Sequence, residues 1–276
     1  MSWKAKPSER AASVWPFGSA WMPDNQINGV DFVLPFRFSA GAWQLGTRGP
    51  VSLRIAEVVN QVTATNITAD LEGAYPWSEA DPLLLTDVNV DVLGGKVSMQ
   101  QLRMPQHDPA LVRVQNISSS ELISAVNPKQ FAMSGPVSGA LPLWLNDEKW
   151  IIKDGWLTNP GPMTLRIDKD TADAVVKDNM AAGAAINWLR YMEIAHSWTK
   201  INLDNLGVLT MQAQIRGNSH VDGKVGTVNL NYTHEENVFT LWRSLRFGDN
   251  LQAWLEQNAA LPEKTCQQGK ECEETQ

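Results

Sequence analysis

A mainly β fold, built as one long antiparallel sheet, is what this sequence predicts, and three observations predict it. Apolar residues alternate with polar ones in segment after segment, which places one face of each strand against apolar surroundings. Turn signals separate these segments, and from about Leu34 to Ile117 no helical stretch intervenes between strands, which argues against parallel β/α units. Charged residues make up only 19% of the chain, below the roughly 25% usual in globular domains. Asn, Gln, Ser, Thr and Gly take their place, as in hairpin-rich proteins.

The segments run in order. After an opening punctuated by Pro and Gly (WPFGSAWMPDNQINGVDF), strands are expected from about Leu34 to Ile117. Val51, Leu53 and Ile55 alternate with Ser52 and Arg54; Val88, Val90 and Val92 with Asp87, Asn89 and Asp91; Val112 and Val114 flank Arg113. LGTRGP, EGAYPW and Gly94-Gly95 supply the turns. Ser118 to Glu121 has capping-box spacing, so a short helix starts there and stops at Asn127-Pro128. Strands resume at FAMSGPVSGALPLWL, and Asp154-Gly155 inside KWIIKDGWLTN reads as a hairpin turn. From about Thr171 to Thr199, Val176, Met180, Ala184, Trp188, Tyr191, Ala195 and Trp198 recur at steps of three and four, which predicts one long helix packed on the sheet. Strands return in LGVLTMQAQIRG and VGTVNLNY, and Asn237 and Asp249 are placed to cap closing helices over 237–259. The chain thus divides into a β-rich domain over 1–262 (strands 30–168, helix 171–199, strands 201–234, helices 237–259) and a polar, disordered tail over 263–276.

At 276 residues one large domain or two ordinary ones would fit. A net charge of −7 argues against a nucleic-acid partner, which needs a basic stripe. Polar tracts interrupt every apolar run before 18 residues, too soon for a membrane-spanning helix. MSWKAKPSER carries no apolar signal core and reads as an artificial start or an internal fragment. Two readings stand for Cys266 and Cys272: a small tail disulfide in an oxidising compartment, or idle thiols in a reducing one. A zinc site lacks further ligands nearby.

Catalytic constellations are missing. There is no phosphate loop, no H-E-x-x-H and no G-x-S-x-G elbow; GPVSG has Ser138 one place late for it. His107, His196, His220 and His234 stand singly. Asp87, Asn89 and Asp91 share a strand face, but calcium wants six or more converging oxygens. Neither an enzyme nor a cofactor is expected; a hydrolase with a Trp-lined cleft remains only as a distant third reading. What remains is an apolar sheet face that helix, a second sheet or an apolar ligand must cover. The few expected helices favour an open groove for acyl chains, although a closed sandwich fits the composition equally well.

The stretches LPLWLNDEKWIIKDGWLTNPGPMTLRIDKD, AAINWLRYMEI, INLDNLGVLTMQAQIRG and VGTVNLNYTHEENVFTLWRSLRFGDNLQAWLEQNA closely resemble the C-terminal part of a member of the AsmA-like family of Gram-negative envelope proteins. SGPVSGALPLWL is similar to that family's recurring S-G-x-x-S-G-x-L-P element. The resemblance implies a strongly curved, U-shaped hydrophobic β-groove, held to the inner membrane by an N-terminal helix absent from this chain, that conducts phospholipid across the periplasm. It also implies a small YnbE-like outer-membrane lipoprotein, which adds β-strands, and a YdbL-like periplasmic protein as partners. A non-conducting tether or docking module is the alternative.

The alternation itself gives the expected lining: Val88, Val90, Val92, Val112, Val114, Leu209, Met211, Ile215, Val228 and Leu230, part of which would instead be core beneath the long helix. Phe239, Trp242 and Trp254 are expected to pack as a cap, with an outer-membrane foot as the alternative. The expected docking edge is 225–234, through Val225, Thr227, Val228, Asn229, Leu230, Asn231 and Tyr232, because neither proline nor charge guards it. An interior strand paired on both sides is the other reading of that segment.

Overall fold

The structure is a computed structural model that describes residues 10–22, 25–60, 62–126, 131–167, 190–221 and 224–238. Residue contacts divide the chain into a unit Met1–Glu236 and a unit Asn237–Gln276; only 237–238 of the second are among the described residues. The first unit is strand almost throughout. Its elements are β1 (Arg10–Met22), β2 (Asn25–Ser39), β3 (Ala42–Leu45), β4 (Val51–Val59), β5 (Ala64–Tyr75), β6 (Leu83–Val92), β7 (Gly95–Met104) and β8 (Ala110–Ser118), then α1 (Ser119–Val126). There follow β9 (Phe131–Ser134), β10 (Pro136–Leu143), β11 (Trp150–Thr158), β12 (Met163–Ile167), β13 (Tyr191–Asp204), β14 (Val208–Val221) and β15 (Lys224–Asn237).

All fifteen strands form one sheet, and its ladders from β1 to β14 are antiparallel. The topology is a meander in which each row pairs with the next. Three rows are split. β3 and β4 share the place between β2 and β5, separated by the LGTRGP segment, where Gly46 and Gly49 take φ of 76° and 116°. β9 and β10 are separated by Gly135 at φ 113°. β11 and β12 are separated by Asn159-Pro-Gly-Pro162, and the buried Asn159 Oδ1 holds that jog by accepting from the N–H and Oγ of Ser197 at 2.5 and 2.9 Å. α1 continues the row of β8 beside β9: Ser119 N–H and Oγ both donate to Gly135 O, at 3.0 and 2.8 Å. Ser118 Oγ accepts from Glu121 N–H at 3.3 Å, the N-cap contact that the capping-box spacing predicts.

A residue with left-handed backbone interrupts five of the strands: Gly29, Asn66, Asp87, Asn116 and Asp154, with φ of 64°, 51°, 51°, 53° and 56°. At the last four, the ladder slips by one residue, the signature of a β-bulge, which bends and twists its strand. Gly, Asn and Asp are the residues that adopt this conformation at least cost. A slip of one residue would normally turn the apolar set to the wrong face. Here the apolar spacing lengthens from two to three across each bulge: Ile27 to Val30, Ala64 to Ile67, Leu85 to Val88, Val114 to Ile117 and Ile152 to Gly155. One face therefore stays apolar along the whole strand.

Four sequence expectations are corrected. The helix expected over 171–199 is strand from Tyr191 onward; 171–189 lie outside the described residues. From Tyr191 on, the apparent helical spacing comes from a ladder irregularity between Ile194 and His196, which inserts a step of three into a period of two. Asp154-Gly155 is no hairpin turn but the bulge inside β11. The β6–β7 hairpin turns on Leu93-Gly94, both at positive φ (50° and 68°), as a type I′ turn requires; Gly95 already pairs with Val92. Strands also begin well before Leu34, since β1 and β2 occupy the opening. The closing helices beyond residue 238, with Phe239, Trp242 and Trp254, and Cys266 and Cys272 in the tail lie outside the described residues.

Candidate functional site

Residues directly opposite in an antiparallel ladder share a face, so the register traces each face across the sheet. One row runs Val90–Val97–Val114–Gly139–Leu157–Thr199–Ala213. The next holds Val88–Met99–Val112–Leu141 and reaches Gly155–Ile201–Met211. A third runs Ala110–Leu143–Ile152–Leu203–Leu209, and Val51–Leu71–Leu85–Leu102 carries the same face toward the N-terminus. Two small clusters are buried on it: Met99, Leu102 and Ala110, and Met163, Met192 and Ile194.

Six of the ten expected lining residues (Val88, Val90, Val112, Val114, Leu209 and Met211) stand in these rows. Ile215 and Val228 pack against the second cluster, and Val92 pairs with Gly95. All ten, Leu230 included, are only half-buried. Sequence reasoning missed Val97, Met99, Leu141, Leu157 and Ile201, although the same alternation marks them. Gly139 and Gly155 are notches in this face. A Cβ at Gly139 would lie 2.0 Å from Trp156 O, and one at Gly155 2.9 Å from Leu141 Cδ2.

The opposite face is mostly polar, although Trp156 and Trp198 stand on it, 40% and 41% exposed. Its row Arg54–Thr68–Asn89–Ser98–Arg113 is tied by Asn89 Nδ2 donating to Thr68 Oγ1 at 3.1 Å and by the Arg54–Asp70 ion pair at 2.7 Å. That pair raises the Arg54 pKa, with Asp70 as the largest cause. Asp87, Asn89 and Asp91 are engaged by amides: Asn89 Nδ2 donates to Asp87 Oδ1 at 3.0 Å, and Asn66 Nδ2 to Asp91 Oδ2 at 2.8 Å. Among the described residues no three His, Cys, Asp or Glu gather to hold a metal, and no helix is long and apolar enough to cross a membrane.

The turns at 40–41, 76–82, 105–109, 144–149 and 205–207 fall at the same ends of their strands and form one rim. Side chains link four of them in sequence. His107 Nε2 lies 2.9 Å from Glu79 Oε1, with Arg103 at 3.3 Å from Glu79 Oε2, so the Glu79 pKa is lowered, by His107 first. Gln106 Oε1 accepts from Leu145 N–H at 2.7 Å, and Asn205 Nδ2 donates to Glu148 O at 2.5 Å. Asp147 is lowered too, because its Oδ1 accepts from Lys149 and Trp150 N–H, each at 2.8 Å.

β15 pairs with β14 and with no other described strand. Among the described residues, 225–234 therefore lie along a sheet edge, with Val225 and Tyr232 63% and 49% exposed. A second partner strand from the N-terminal region, the other reading of this segment, is not present among the described residues.

A family model described as YdbH-like, intermembrane phospholipid transport protein YdbH, matches residues 17–260. A curated relative, the probable phospholipid transport protein YdbH of Escherichia coli strain K12, is 82% identical over 259 residues, or 94% of this chain. The chain spans about 30% of that relative's length. No solved structure matches.

Proposed function

The chain belongs to the YdbH-like family, and from that premise we propose that it forms the outer-membrane-proximal end of a periplasmic groove that conducts phospholipid between the two membranes. The observation that carries the reading is the unbroken apolar face, kept apolar through every bulge and half-buried along its rows. Acyl chains suit such a surface. Each buried CH₂ contributes about 0.8 kcal/mol with no directional bond, so a dozen methylenes give roughly 10 kcal/mol of adhesion that does not oppose sliding. Purified chain should carry phospholipid detectable by native mass spectrometry. Chain that is folded, lipid-free and unable to take lipid from vesicles would favour a tether instead.

The free edge of β15 docks the small YnbE-like lipoprotein by strand addition. Main-chain bonds give affinity and alternate side chains give specificity. The support is that β15 pairs with β14 alone among the described residues, and that neither proline nor charge occurs from Val225 to Thr233. Alternate residues of an edge strand aim their N–H outward. A proline scan through 228–231 should then find positions that spare folding but abolish lipoprotein co-purification. Prolines that all unfold the protein, or all leave binding unchanged, refute the docking edge.

A further inference from the structure

The two rims of the apolar face differ. Along the rim of linked turns described above, large apolar side chains stand in solvent: Trp43 42%, Tyr75 53%, Trp77 40%, Leu145 55% and Leu206 72% exposed. Trp43 and Tyr75 are cross-strand partners. Trp43 lies 5.0 Å from Phe38 and Tyr75 lies 5.7 Å from Trp77, centroid to centroid, so these four rings form one patch. Phe38 follows Phe32 in the alternation of β2, and Phe32 pairs with Leu53 on the apolar face; the patch therefore ends that face at its rim. The turns of this rim also carry five carboxylates, Glu79, Asp81, Asp108, Asp147 and Glu148, against Lys149 and the Arg103 and His107 that engage Glu79. Asp81, Asp108 and Glu148 make no ion pair among the described residues. At the opposite ends of the strands, the described residues expose only Leu122 and Val225 of comparable size, with Glu121 as the one acid of α1.

Trp and Tyr favour a boundary where one end of the ring is apolar and the other wet. An acidic margin attracts a cation and repels a bare phosphate. We propose that bound phospholipids lie with their head groups over this rim, and that the rim prefers head groups ending in an ammonium to anionic ones. The hydrogen bonds from Glu79–His107 through Gln106–Leu145 to Asn205–Glu148 hold the turns in line, so the margin is built rather than improvised by each lipid. This inference deepens the phospholipid reading above and rests on it.

The test places a fluorophore on the full chain with Cys266→Ser and Cys272→Ser, at Ala80→Cys on this rim or at Ser120→Cys on the other. Phosphatidylcholine with a nitroxide on its head group, loaded from vesicles, should quench the label at 80 more than the label at 120. The same lipid labelled at the end of an acyl chain should show no such difference. Equal or reversed head-group quenching, with lipid bound, overturns the placement. In competition between phosphatidylethanolamine and phosphatidylglycerol vesicles, the former should supply more lipid. That preference should vanish in the variant Asp81→Asn, Asp108→Asn, Glu148→Gln. Equal uptake of both lipids by the parent chain overturns the charge argument. No lipid on the protein under any condition overturns the underlying phospholipid reading instead, and this inference with it.

Discussion

Replacing Asn66 by valine tests the bulge geometry that keeps one face apolar. Asn66 sits at φ 51° between Thr65, paired with Asp91, and Thr68, paired with Asn89, and its Nδ2 donates to Asp91 Oδ2 at 2.8 Å. A β-branched residue held in this conformation loses about 1–2 kcal/mol, and an exposed hydrogen bond of this kind is worth roughly 0.5–1 kcal/mol. Asn66→Val should therefore destabilise by about 2 kcal/mol. With a urea slope of about 1–3 kcal/mol per molar, the midpoint falls by roughly 1 M at unchanged slope. Asn66→Gly keeps the backbone conformation and gives up the hydrogen bond and some unfolded-state restriction, so it should stay within about 1 kcal/mol of the parent. Chemical unfolding followed by circular dichroism and tryptophan fluorescence reads both. Equal midpoints for the two variants would refute the bulge account, since only valine is penalised by a positive φ.

Three further outcomes are expected. Gly139→Ala places a Cβ 2.0 Å from Trp156 O and should cost about 2–3 kcal/mol of stability in the same unfolding assay. Val90→Asp puts a carboxylate in the apolar row and should remove co-purified phospholipid, whereas Asn89→Asp, on the polar face, should retain it; mass spectrometry of normally folded protein compares them. Glu79 is held below its ordinary carboxylate range by His107, with Arg103 adding to the effect. A depressed folded pKa means that its contribution is present above the unfolded value and lost as pH falls through the folded one. His107→Asn should move the Glu79 carboxyl midpoint, followed by NMR, back up toward the ordinary range.

Much of the fold was readable because period-two alternation survives in nearly every strand: Val88, Val90 and Val92, and Leu209, Met211, Ala213 and Ile215, stand where their spacing places them. The misreadings share one physical cause. A bulge inserts a step of three into a period of two, and a step of three also belongs to a helix, so Tyr191, Ala195 and Trp198 imitate a helical stripe. Asp and Asn before or near glycine serve hairpin turns and bulges alike, because both need left-handed backbone; Asp154 could not be told from a turn residue without knowing that Ile201 pairs with Gly155. The linked rim was beyond reach, since Glu79 and His107, or Glu148 and Asn205, meet only after the meander sets neighbouring turns side by side.

The central claim, that the apolar face holds acyl chains, is tested most directly by photocrosslinking to phospholipid. Benzoylphenylalanine placed at Val114 would lie in the row that joins Val97 to Gly139; placed at Arg113, one residue away, it would face the polar side opposite Ser98. In cells labelled with radioactive phosphate, irradiation should attach phospholipid to the protein at position 114 and not at 113. Equal labelling at the two positions, or labelling only at 113, would contradict the account.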